Sequence, residues 1–335
     1  MNGLWESIRD YIRNINFIRH LYKILTGLLG FIYDYKRFLV YGGWSENMND
    51  IELRNYQQVL RYHSLEKSLS FKERNPNSGW KDAYKLLNLL NIAKHSGSIG
   101  YHDKASKQVL EKFIALPENI NLERSQLLKE ELEQFDFNSN DIHGSMEYSL
   151  NDFNKGKLDK PEDFFLTRYS LREFQNKVVA DEIIHRAIRL AMKTPSVCNR
   201  QAWYIYHTSD KEVINNVLKC QNDNLHYSEY IANMLVITMD LKAFYSATER
   251  YQHWIDGGLL SMSLIYAFHS LGIATCALNW SKLPKNDKLL RKTVKIKPNH
   301  TIIMLLAVGY PNENNKVCRS ARRPFEEIYG TLERK

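Results

Sequence analysis

Arg168-Tyr169-Ser170-Leu171-Arg172-Glu173-Phe174 sets two guanidinium groups and a hydroxyl within five residues, ahead of an apolar-periodic segment that begins at Asp181. A guanidinium grips a phosphate or a polarised carbonyl oxygen through two parallel hydrogen bonds. The stretch therefore reads either as an anion-binding hand or as a solvated run with two surface arginines. Its neighbours decide between these readings, and with them the fold.

Downstream, the character is mixed. Residues 181–193 place Ile183, Ile184, Ala187, Ile188 and Ala191 on one helical face, with Asp181 positioned to cap the start. Thr194-Pro195-Ser196 ends that helix. Residues 202–207, 234–239 and 302–308 are short apolar or β-branched runs and read as strands. Residues 258–270 form an apolar helix closed by Gly272. The expected fold class is α+β, a sheet with flanking helices.

Upstream, residues 1–45, 50–72, 80–95, about 103–115 and a stretch from Asn121 read as helices, and nothing before residue 136 reads as a strand. Residues 136–160, rich in Asn, Asp, Ser, Gly and Lys, read as a linker. The expected organisation is an all-helical N-terminal domain at 1–135, a linker at 136–160 and a second domain at 161–335.

The 335 residues are 44% hydrophobic and carry a net charge of +8. That suffices for a sizeable core and excludes global disorder. A basic balance suits anionic partners, but no nucleic-acid motif accompanies it, and no nucleic-acid partner is expected. Cys198, Cys220, Cys276 and Cys318 have no zinc or disulfide-framework spacing, and the histidines form no ligating cluster. A reducing compartment is expected and no metal. The most apolar run, 24–33, is flanked by Lys23, Asp34, Lys36 and Arg37 and falls short of the roughly 20 residues that span a bilayer. It reads either as a helix packed on protein or as a segment lying on a membrane surface. The expected location is cytoplasmic, with peripheral contact to the inner membrane or a biosynthetic complex through residues 1–45 as the alternative.

Three further segments carry binding chemistry. Pro195 to Trp203 is rich in side-chain donors and acceptors, and Ser196, Asn199 and Gln201 suit an amide-bearing heterocycle. Gly272 to Trp280 is a small-residue connection whose backbone at 277–279 can approach a ring. Arg319 to Glu327 packs Arg319, Arg322 and Arg323 into five residues. Each has a plainer reading as an ordinary loop.

Taken together and in order, these segments resemble the nitroreductase family of flavin oxidoreductases. The matching pieces are D-F-x-x-x-R-Y-S-x-R-x-F at 163–174, T-P-S-V-C-N-R-Q-A-W at 194–203, D-G-G-L-L-S-M-S-L-x-x-A-x-x-x-L-G at 256–272, and A-V-G-Y-P with A-R-R-P-F-E-E-I at 307–311 and 321–328. The resemblance implies a nitroreductase-like, FMN-binding fold and a homodimer with the flavin at the subunit interface. It also implies an NAD(P)H oxidoreductase that passes hydride to a small-molecule or polysaccharide-precursor acceptor. By motif, Arg168, Ser170 and Arg172 contact the flavin ring edge and phosphate, and Tyr169 contributes backbone. Pro195, Ser196, Asn199 and Gln201 line the ring. The backbone of Leu278 and Asn279 sits near the hydride-accepting nitrogen, and Arg322 takes the phosphate together with Ser320 or Arg323. No residue is assigned as catalytic. Tyr169, Ala202 and Ser263 depart from the family's frequent residues. Residues 61–70, RYHSLEKSLS, resemble an H-x-L-E-K-G-L element of nitroreductase-like proteins from bacterial exopolysaccharide and capsule clusters, with Ser68 where Gly is usual. There His63 and Lys67 would reach a polar substrate or the flavin site of the partner subunit; the plainer reading is a solvated or interdomain face. A flavin-bound assembly or regulatory protein in cell-surface polysaccharide biosynthesis is the alternative function.

Overall fold

The computed structural model describes residues 16–221 and 228–334; the part of the expected first helix at 1–15 lies outside them. Helix α1 (Asn16–Tyr41) precedes four helices, α2 (Ile51–Ser70), α3 (Trp80–Ser96), α4 (Tyr101–Ile114) and α5 (Glu123–Glu133). Asp50 caps α2, its carboxylate accepting from the Glu52 and Leu53 amides at 3.0 and 3.3 Å. Helically spaced Leu65, Leu86, Leu90, Val109, Leu110, Phe113, Leu128 and Leu132 are all buried in one shared core. Helix α1 stands apart from that core. Its Phe38 packs with Met239, Leu241 and Phe244 of the second half, Tyr33 donates to Asp287 at 2.6 Å, and Arg37 donates to the Pro298 and His300 carbonyls.

Between residues 134 and 180 the described regular elements are two short helices, α6 (Leu150–Asn154) and α7 (Pro161–Leu166). Beyond them, α8 (Asp181–Ala191), β1 (Trp203–Thr208), α9 (Lys211–Gln221), β2 (Asn233–Asp240), α10 (Gln252–Ser270), β3 (Ala274–Asn279), α11 (Pro284–Thr293) and β4 (His300–Gly309) build a mixed helix-and-sheet unit. The sheet is antiparallel throughout, in the order β1-β2-β4-β3. Every residue of β2 is buried. Leu235 and Ile237 face α8 and α10 through Ile184, Ala187, Leu260, Leu264 and Phe268. Met234 and Val236 face Ile214 and Val217 of α9 and Leu290 of α11. A strand covered on both faces loses its polar alternation, which is why residues 234–239 form a continuous apolar run.

Three details differ from the sequence reading. Ala180, not Asp181, occupies the α8 cap position, and no side chain caps it; Asp181 acts through its charge in the first turn, where the helix dipole favours an anion. Residues 274–279 form an edge strand rather than a connection. Helices α9 and α11 stand where no element was read.

Arg168–Phe174 is held on the β3 edge. Ser170 bridges Thr275 in parallel and Phe174 bridges Pro311, while the Leu171 amide donates to the Thr275 carbonyl at 3.1 Å and the Gln175 amide to the Tyr310 carbonyl at 3.0 Å. The Phe174 ring is 3% exposed and lies flat against Gly309, where an added Cβ would come within 2.6 Å of Phe174 Cγ. A Gly309→Ala substitution is therefore expected to cost about 1–3 kcal/mol by overpacking, read as a lower urea midpoint. An unchanged midpoint would mean that Phe174 is not seated there.

Candidate functional site

The expected ligand-binding residues fall into two groups in one chain. The first gathers at the β3 edge. Ser170 is fixed by its bridge to Thr275. Arg172 extends to Cys318, its Nη1 lying 3.7 Å from the Cys318 sulfur, so the opening stretch meets the basic C-terminal segment. Among the described residues, no hydrogen bond or ion pair engages the half-buried Arg168. Ser320 has a left-handed φ of 50°, and its carbonyl accepts from the Arg322 guanidinium. Arg172 also lies near the buried Cys276 thiol; burial pushes that thiol's pKa up, and the cation pulls against it. Leu278 is buried and paired with Leu305, and exposed Asn279 ends the strand opposite Met304.

The second group is the loop from Pro195 to Gln201, immediately before β1. It sits at the other edge of the sheet, three strand spacings or about 14 Å from β3. Cys198, Asn199 and Gln201 all have positive φ, at 50°, 54° and 49°. Such conformations cost roughly 1–2 kcal/mol per non-glycine residue, and clusters of them favour functional sites. The surroundings hold the loop in place. The Asp256 carboxylate accepts from the Val197 amide at 3.1 Å, and Ser196 Oγ accepts from the Gln201 amide at 3.0 Å. Gln201 Nε2 reaches the Asn199 carbonyl and side-chain oxygens, both at 3.2 Å. Arg200, 2% exposed, pairs with Glu249 and donates to the Ala243 carbonyl at 2.5 Å. Arg200, Glu249 and Asp256 shape the loop, and the sequence reading gave them no role. Arg200 and Asp256 lie within the quoted motifs, but nothing in the one-dimensional pattern separates a clamp from a contact residue. Burial raises the Asp256 pKa, while Gln252, the Val197 amide and Arg200 oppose the rise.

Asn199 and Gln201 open onto a cleft of about 690 Å³ between the helical core and the sheet. Its helical wall includes Tyr62, Glu66 and Tyr101, and its sheet wall Trp203, Tyr204 and Asp240. His63 does not line it. His63 Nδ1 lies 3.2 Å from Glu66 Oε2, so the histidine reaches the cleft only through that carboxylate, and Lys67 is exposed. Among the described residues no His, Cys, Asp or Glu group is arranged to hold a metal ion, and no described helix is long and apolar enough to cross a membrane.

The Nitroreductase family model matches residues 166–236, from the Arg168 stretch through the strained loop into β2. The chain is 27% identical over 202 residues to the iodotyrosine deiodinase of Hydra vulgaris, covering 51% of this chain and 73% of that protein. It is 25% identical over 151 residues to an Archaeoglobus fulgidus protein provisionally named NADH dehydrogenase/NAD(P)H nitroreductase, covering 44% and 83%. Among solved structures, an FMN-dependent nitroreductase from Clostridium difficile aligns at a TM-score of 0.44 and 18% identity, over 51% of this chain and 98% of that one.

Proposed function

We propose that this chain is an FMN-dependent oxidoreductase of the nitroreductase type, taking hydride from NADH or NADPH and passing it to a small-molecule acceptor. The carrying observation is the meeting of Arg172 with Cys318, beside the Ser320–Arg322 turn. It joins two arginine-bearing segments, far apart in sequence, at the edge of β3. The family match spans the first of them. The residues fit a phosphate-bearing planar ring. Arg168 has no intramolecular partner among the described residues, Arg172 is exposed, and β3 is an edge strand whose backbone at 278–279 has no further strand beside it. When bound, FMN supplies the hydride chemistry. The chain's own part is to hold the phosphate with Arg168, Arg172 and Arg322, to orient the ring with Ser170 and the 278–279 backbone, and to line it with Ser196, Asn199 and Gln201.

The last three residues lie at the opposite edge of the sheet, which favours a homodimer with the flavin between subunits. The partner's loop would then complete each site. Two apolar surfaces suit such a pairing. Trp254, Ile255 and Leu259 of α10 are exposed, and so are Phe325, Ile328, Tyr329 and Leu332 on the C-terminal arm. We place the helical residues up to 135 and the segment 136–160 as a separate domain and linker ahead of the flavin unit.

Each charge-assisted contact is worth roughly 1.5–3 kcal/mol. Arg168→Ala and Arg322→Ala should therefore each weaken FMN binding about tenfold or more, read by fluorescence titration of the apoprotein. Stoichiometric FMN retained at submicromolar concentration in both variants would refute this placement.

A second reading rests on α1. Leu21, Leu25, Leu28, Leu29 and Ile32 are exposed along it, as in a helix that docks on a membrane surface or a biosynthetic complex. Co-flotation with anionic vesicles, lost when residues 1–45 are removed, is its test; flotation that survives the truncation removes α1 from the account.

A further inference from the structure

The cleft beside Asn199 and Gln201 has a chemical character of its own. Its volume of about 690 Å³ lies within the roughly 300–1,000 Å³ typical of small-molecule sites. Exposed aromatic rings enter it from both halves of the molecule, Tyr101 from α4 and Tyr204 from β1. Its lysine and arginine side chains are already paired. Glu52 is paired to Lys242 at 2.9 Å and to Lys297 at 2.7 Å, and Arg200 to Glu249. The Asp240 carboxylate accepts from Tyr56, the Lys242 amide and Asn299. Glu66 accepts from the Gly144 amide at 3.3 Å and contacts His63. Of the three imidazoles on the wall, burial pushes the pKa of His300 down to about 4 and that of His102 in the same direction, and His143 lies 3.0 Å from the Ser139 hydroxyl. An anionic ligand would find no free lysine or arginine there.

Hydrogen-bond acceptors remain. Asn55 Oδ1 is buried without any partner, and a buried acceptor left unpaired costs about 1–3 kcal/mol. The Gln201 amide nitrogen is spent on Asn199, which leaves its carbonyl oxygen open. Glu66 and Asp240 retain acceptor capacity beyond the bonds above. An aromatic-walled cleft with its cations paired and acceptors in surplus disfavours an anion and selects a molecule that brings O–H donors and an apolar ring face.

We infer that this cleft is a binding site for a hydroxyl-rich ring compound without negative charge, held between Tyr101 and Tyr204 and hydrogen-bonded to Asn55 and Gln201. Its position against the loop from Pro195 to Gln201 makes that compound the second substrate of the flavin; this last step alone rests on the function proposed above.

The test is ligand-observed saturation-transfer NMR on the full chain at neutral pH. The neutral probes are methyl α-glucopyranoside and myo-inositol, set against anionic glucuronate. The neutral probes are expected to bind at least tenfold more tightly than glucuronate. Asn55→Leu and, independently, Tyr101→Ala are expected to weaken the neutral probes at least fivefold. Neither substitution should change the flavin content read by absorbance in the same samples. Equal binding of glucuronate and the neutral rings, no binding of either neutral probe, or neutral binding indifferent to both substitutions would overturn the inference. A colourless protein that still selects the neutral probes would keep the cleft and remove the flavin.

Discussion

Arg200→Ala is expected to destabilise the protein by about 3–5 kcal/mol, the usual cost of stranding one partner of a buried ion pair. The guanidinium is 2% exposed and satisfies three groups, the Glu249 carboxylate, the Ala243 carbonyl and the Val197 carbonyl. It also lies over the Phe244 and Tyr245 rings at 5.3 and 5.6 Å. Truncation leaves Glu249 uncompensated and removes the support under three left-handed residues. Because those conformations persist only when their surroundings over-determine them, the loop should relax along with the loss of stability. Urea denaturation measures the first effect and proteolysis at 196–201 the second. Arg200→Lys keeps the charge but not the fork, and should recover only part of the loss. A variant within 1 kcal/mol of the parent would show that the loop is not clamped from below.

Acid should weaken the fold through His253. Its imidazole is 5% exposed among Phe38, Phe244 and Trp254, and its Nδ1 has no partner. Burial, with a smaller push from Arg37, lowers its pKa to about 4, against about 6.5 in an unfolded chain. The unfolded state therefore binds the proton first. The stability tied to neutral His253 is fully present above about pH 6.5 and is lost as pH falls through about 4, amounting to about 3 kcal/mol. Buried Asp240 and Asp256, whose pKa values are raised, act in the opposite sense, so the parent curve alone is ambiguous. The comparison with His253→Phe isolates the effect: between pH 7.5 and 4 the parent should lose about 3 kcal/mol more than the variant. Parallel curves would mean that His253 is protonated without cost.

What the sequence made legible follows from how strongly each element is written. Three strands carry apolar, β-branched or aromatic runs, and β2 and β4 are covered on both faces. Edge strand β3, Ala274-Thr-Cys-Ala-Leu-Asn279, has small residues, one β-branched side chain and exposed positions at Ala277 and Asn279, so its pattern is faint. Helices α9 and α11 are short and mostly polar, and their signals lie in local chemistry: the Asp210 carboxylate accepting from the Glu212 and Val213 amides, and Pro284 in the first turn of α11. For the candidate site, spacing singled out segments but not their arrangement. Arg172 and the 318–322 tail meet because Phe174 seats on Gly309, a contact between residues 135 apart in the chain. The loop at 195–201 lies across the sheet because β1, not β3, follows it. The cleft between the helical core and the sheet was out of reach, since its walls include residues of α2, α4, β1, β2 and β4.

Whether FMN is the working group is decided by the absorbance spectrum of the purified protein and its anaerobic titration with NADH and then NADPH. The expected result is a yellow protein with one flavin per chain, bleached by at least one of the two nicotinamides. A protein that stays colourless after incubation with FMN, or whose bound flavin neither nicotinamide reduces, would contradict it.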